Sequence, residues 1–464
     1  MTGTLIAATL SGNSAAAMTL TGATAITNQV ATLGTFTAAA FTLNDGETLS
    51  VAGAVNGGIA ATITDSVSLT VGGTISAAAV SLTASNIALP GLVTDGGAGT
   101  INLIATGGTI NETGTLIAGT LSGSSTGATT LTGAAALTNH VATLASFTAS
   151  GFTLNDGTSL TAAGVVNGGT AATVTDSASL TVGGTISAAA IALTGANVAI
   201  TGLVSDGGNG TVGLAATGGS ITETGTLIAG TLSGHSTGAT SLTGSTASTN
   251  QIATLTNFTA ASFILDDGEA LSITGPIVVG GTLALSDTLN LVVESTSSIA
   301  AGAVAITGLA NATIAGTVTS TGTAAINTSG TLSNPGTLVA SNGVTIASTA
   351  DITVAGAIAS SAGAVGITGS GGLTTSGLVS GLTGVTISDS GSITAGGSVV
   401  SSGGSVGIAN LGALSIPGLI SGQTGVTIVD PDRPRHDRQR RRSGQDRRCR
   451  RTEHRGPRSP TWEP

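Results

Sequence analysis

The sequence predicts an all-β fold, a right-handed parallel β-helix (β-solenoid) of tandem repeats followed by a disordered C-terminal tail. Three observations carry that reading. A long internal period gives way to a shorter one, apolar and polar residues alternate at period two between glycine pairs, and no Lys or Arg occurs before residue 433.

A 111-residue period organises the first part of the chain. Gly3-Thr4-Leu5-Ile6-Ala7 returns at Gly114 to Ala118 and at Gly225 to Ala229, and Asn44-Asp45-Gly46 returns as Asn155-Asp156-Gly157 and Asp266-Asp267-Gly268. Asp65, Asp176 and Asp287 keep the same spacing, as do the Phe pairs 36/41, 147/152 and 258/263, which are all the Phe in the chain. After Val293 a 41-residue period takes over in Gly343-Val344-Thr345-Ile346, Gly384-Val385-Thr386-Ile387 and Gly425-Val426-Thr427-Ile428. Repeats therefore divide the chain into residues 1–293, 294–430 and an Arg-rich tail, 431–464.

Strands follow from the local pattern. Ala61-Thr62-Ile63-Thr64, Ser68-Leu69-Thr70-Val71 and Val80-Ser81-Leu82-Thr83 alternate, and Gly57-Gly58 and Gly72-Gly73 interrupt them, which is the signature of strand and turn. Tandem sandwich domains also fit a period of the longer kind. They are disfavoured because a 41-residue unit is too short for one sandwich but suits two coils of about 20, and because a body with six Phe and neither Trp nor Tyr offers no large aromatic core. Coils stacked about 4.8 Å apart place like positions in ladders, where repeated like charges repel and Thr, Ser and Asn can hydrogen-bond. Right-handedness follows the crossover preference of parallel strands. Glycine is expected to supply the positive φ at each corner.

Charge excludes several functions. Residues 1–429 hold sixteen acids and no base, so the body cannot neutralise phosphates and no nucleic acid is expected on it. Self-repulsion is expected to keep it soluble. No uninterrupted apolar stretch suffices for a membrane span, and no secretory signal is read at the N-terminus. The one cysteine, Cys449, lies in the tail, leaving the body without a thiolate site.

Candidate sites are few. A lyase of the β-helix type needs a basic residue that the body lacks, and a hydrolase needs converging carboxylates. Asp266-Asp267, the one adjacent pair in the body, stands where other copies have Asn-Asp and is read as a turn. Asp95-Gly96-Gly97-Ala98-Gly99 and Asp206-Gly207-Gly208-Asn209-Gly210 are similar to calcium-binding β-roll loops but carry Thr100 and Thr211 where an aspartate should follow. His140 and His235 are read as surface variation, the Phe pairs as core plugs, and Thr19-Leu20-Thr21 and Thr62-Ile63-Thr64 as ordinary strand rather than a flat ice-binding Thr array. No catalytic, cofactor or metal residue is assigned, and the chain is expected not to be an enzyme.

Gly-Thr-Leu, Gly-Gly-Thr-Ile and Leu332-Ser333-Asn334-Pro335-Gly336-Thr337-Leu338, in their Gly/Thr/Ala/Ser background, resemble the repeats of filamentous-haemagglutinin-like and autotransporter-type β-helical proteins over residues 2–429. The resemblance implies a structural or adhesive rod, part of an exported, cell-surface protein of the Gram-negative envelope whose partners are a host or neighbouring-cell surface or matrix. Met1 stands where later copies have Glu112 and Glu223, so the chain is expected to be a fragment lacking further repeats and export domains. The abrupt change after Asp430 is read as a shifted reading frame rather than a nucleic-acid-binding arm.

Overall fold

A computed structural model describes residues 3–24, 26–135 and 137–430, and the expectations for the tail lie outside the described residues. The described chain is a parallel β-solenoid of about 21 rungs in which 54 strands join one sheet. There is no helix among the described residues. No described helix is long and apolar enough to cross a membrane.

Most rungs have three sides. Strands Phe41–Asp45, Leu49–Val51 and Ala54–Asn56 form one, and Ala61–Asp65, Ser68–Val71 and Thr74–Ser76 stack on them in parallel, residue for residue. Alternation explains why these segments become strands. Phe41 and Leu43 point into the lumen while Thr42 and Asn44 face outward, so each strand buries one row of small aliphatics. The rows merge into one core from Leu20 to Ile408.

In the second region Val344, Val365, Val385, Val406 and Val426 stack directly. Val344, Val385 and Val426 are equivalent in the sequence repeat, and one further rung lies between each and the next, so the shorter period is two rungs. The longer period is not a whole number of rungs. From Phe41 the ladder climbs through Ala61, Val80, Ile101 and Leu121 to Leu144 in five rungs. Phe152, the counterpart of Phe41 in the next copy, sits one side further on and pairs with Thr129. Each long repeat thus advances five rungs and one side. Pairing continues through residues 293 and 294 with strand Asn290–Val293 stacked under Asn311–Ile314.

The extra side arises where one face divides into two. Strand His140–Thr148 lies on Thr115–Ser125 with a register shift between Leu121 and Gly123, and above it Leu160–Ala162 and Val165–Asn167 each take half its length. The Phe pair lies at this division. Phe147 and Phe152 meet with ring centroids 5.0 Å apart and are buried. Phe147 lies so close over Gly123 that a Cβ there would stand 2.8 Å from the ring, and Gly12 and Gly234 have the same relation to Phe36 and Phe258 at 3.1 and 3.0 Å.

Most corner glycines serve a different purpose from the one expected. Gly73, Gly91 and Gly114 climb one corner, as do Gly336, Gly356, Gly377, Gly397 and Gly418, and none has a positive φ. At each, an added Cβ would overlap the carbonyl oxygen of the glycine one rung below. That oxygen is engaged: Gly336 O accepts from Ala357 N at 2.9 Å and Gly356 O from Leu378 N at 3.0 Å. Close backbone approach, rather than left-handed geometry, fixes these residues. Left-handed glycines do occur elsewhere, as at Gly96 and Gly97 with φ of 82° and 80°.

Candidate functional site

Most of the solenoid's acids are inside it. Asp45, Asp65, Asp95, Glu112, Asp156, Asp176, Asp206, Glu223, Asp267, Asp287 and Asp389 are all buried, leaving Glu47, Asp266, Glu269, Glu294 and Asp351 to charge the surface of residues 3–429. Self-repulsion across the wall therefore rests on these five outward acids rather than on all sixteen.

The carboxylates enter because they continue the inward parity of their strands: Phe41, Leu43, Asp45; Ala61, Ile63, Asp65; Ile110, Glu112. At the strand end the ladder breaks, and they accept the backbone N–H groups left over. Asp45 Oδ1 accepts from Val30 N at 2.8 Å and Oδ2 from Glu47 N at 3.2 Å. Asp65 accepts from Val67 N at 2.8 Å and Leu49 N at 3.2 Å. In the second repeat Asp156 takes Val141 N and Thr158 N, and Asp176 takes Ala178 N and Leu160 N.

Glutamates anchor the longest excursions. Glu223 Oε2 accepts from Gly244 N and Asn250 Nδ2, both at 2.9 Å, and Asn250 Oδ1 accepts from Leu227 N at 2.9 Å. Glu112, Gly133, Asn139 and Leu116 make the same arrangement in the preceding copy.

The structure also corrects the expectation that like charges avoid the ladders. Asp45 pairs in register with Asp65, Asp156 with Asp176, and Asp267 with Asp287. Burial pushes all six upward from the ordinary carboxyl range. Desolvation carries Asp156 to about 6 and Asp267 to about 8, and the facing Asp176 and Asp287 add to it. Glu112, Glu223 and Asp389 are also raised, chiefly by burial.

The sign of the pH effect follows. These acids bind protons more tightly folded than unfolded, so the stabilisation is fully present below the ordinary carboxyl value of about 4 and is lost as pH rises through the folded values. Calorimetry is expected to show a melting temperature that falls from pH 5 to pH 8.5. A rise over that interval contradicts this account of the buried acids.

The β-roll-like loops use their carboxylates in the same way. Asp95 Oδ1 accepts from Gly97 N at 2.7 Å, and both its oxygens face Gly119 N at 3.1 and 2.9 Å. Asp206 repeats this with Gly208 and Gly230. Among the described residues no group of three or more His, Cys, Asp or Glu could hold a metal ion. Asp206→Ala strands those N–H groups and is expected to cost about 1–3 kcal/mol in urea unfolding. The loss should be the same with calcium or with chelator; a calcium-dependent difference would point to a metal role.

Asp266 stays half-exposed on the outward side while Asp267 turns in, so the adjacent carboxylates do not converge. His140 and His235 are exposed. The inward acids escape a sequence reading that weights charge over parity, although the alternation in Phe41-Thr42-Leu43-Asn44-Asp45 contains the signal.

Outside, Thr313, Ser333, Thr353, Thr374, Thr394 and Ser415 form one hydroxyl column over six rungs. Its neighbours are Val339, Ala359, Ser380 and Val400 on one side and Thr345, Gly366, Thr386 and Gly407 elsewhere, so the column does not widen into a flat Thr array. No protein-family model, no curated protein and no solved structure matches this chain.

Proposed function

We propose that the chain is a non-catalytic structural or adhesive rod, the repeat part of an exported bacterial surface protein that meets a host cell, a neighbouring cell or matrix. The observation that carries this reading is the commitment of the buried acids to backbone N–H groups at rung corners, which turns the residues best suited to acid–base work into structural acceptors. A continuous core supports it further, since about 21 rungs at roughly 4.8 Å make a rod on the order of 100 Å long.

Two measurements test the reading. Beads coated with the full chain are expected to be retained on cells or matrix above uncoated beads, and incubation with acidic and neutral polysaccharides is expected to release no new reducing or unsaturated ends. Sustained turnover of a polysaccharide overturns the non-catalytic part. Absence of retention on every surface leaves spacing as the role and overturns adhesion.

A further inference from the structure

We propose that Asp267 and Asp287 form a proton-holding pair, in which one hydrogen is shared between the carboxyl groups of adjacent rungs at neutral pH and locks that corner of the solenoid. The two residues are in register on parallel strands Ser262–Asp267 and Pro276–Asp287, where neighbouring backbones lie about 4.8 Å apart. Their exposures are 0% and 1%.

The contrast with the other copies carries the argument. In the first two repeats both oxygens of each aspartate accept a backbone N–H. In the third, Asp267 Oδ1 accepts from Ile252 N at 3.0 Å and Asp287 Oδ1 from Leu289 N at 2.7 Å, but both Oδ2 atoms are buried without a hydrogen-bond partner. The N–H groups of Glu269 and Leu271, counterparts of the missing donors, still act on these carboxyls but do not reach hydrogen-bond geometry at Oδ2.

Two orphaned, buried acceptors on in-register residues of adjacent strands need a hydrogen, and there is no Lys or Arg among the described residues to supply it. Strands Ala239–Leu242, Gln251–Ala260, Leu271–Ile273, Asn290–Val293 and Ser298–Leu309 around the pair bring no titratable group. The nearby charged residues are acids: Asp266 and Glu269 beside it, Glu294 at the next corner, and Glu223 beneath through Asn250. His235 is exposed on Thr226–Ser236. A proton on one carboxyl, donated to the other, satisfies both oxygens and leaves one net charge instead of two. In the shorter repeats Asp389 is in register with Asn410, so no second carboxyl stands there to share a proton, and Asp389 Oδ2 stays unpaired.

Carbon-13 NMR of the aspartate carboxyls in the full chain tests this. One carboxyl of the pair is expected to remain protonated at pH 7, and Asp287→Asn should lower the Asp267 midpoint by about one unit or more, as removal of a like charge does. Asp65→Asn, where every oxygen is already bonded, should leave Asp267 unmoved. Both carboxyls ionised by pH 6, or an Asp267 midpoint indifferent to Asp287→Asn, overturns the proposal. So does a calcium-induced rise in melting temperature at pH 7 with both carboxyls ionised, which would make the shared species a metal ion. If Asp287→Asn does not fold, Asp267→Asn read at Asp287 and the wild-type titration give the same decision.

Discussion

Gly356→Ala is expected to destabilise the solenoid by at least about 3 kcal/mol, the upper end of overpacking costs, while Gly366→Ala, in the next strand but one, should be neutral or stabilising by about 0.5–1 kcal/mol. Composition does not distinguish the two positions. At Gly356 a methyl group would occupy the space of the Gly336 carbonyl oxygen, and that oxygen cannot withdraw without releasing Ala357 N. At Gly366 nothing lies within 4 Å of the added Cβ and the strand geometry is ordinary. Urea unfolding of both variants checks the contrast. Equal losses would mean that chain flexibility, not close approach, sets the glycine requirement.

The second large effect concerns the aromatic pairs. Phe258→Ala and Phe263→Ala are each expected to cost about 3–5 kcal/mol, because both rings are fully buried at the dividing face and the lumen has few other bulky groups to collapse inward. Their centroids are 4.7 Å apart in an edge-on arrangement, a contact worth about 0.5–1.5 kcal/mol beyond area burial. Each single variant loses that contact, so the double variant should lose less than the sum by roughly that amount. Strict additivity would show that the rings act as separate plugs.

How far the sequence revealed this structure depends on the element. The two-rung meaning of the shorter period was legible because Val344, Val385 and Val426 recur with the same neighbours and lie on one column. The extra side in the longer period was not. It depends on Thr115–Ser125 bending round a corner and on His140–Thr148 dividing between two strands, choices made by packing around Phe147 and Gly123 rather than by any local signal. The Phe pairs were legible as core. The aspartates beside them were legible by parity but were read by charge, and the glycine ladders were legible as corners but for the wrong physical reason.

The advance of five rungs and one side has a consequence for anything that meets the outside of the rod. The excursions anchored by Asn28, Asn139 and Asn250 are copies of one another, yet each leaves the wall in a new direction, separated along the axis by roughly 25 Å at about 4.8 Å per rung. A flat surface laid along the rod therefore faces one such excursion and not its siblings. Only a partner that coils around the axis, or several partners arriving from different quarters, can engage all three at once.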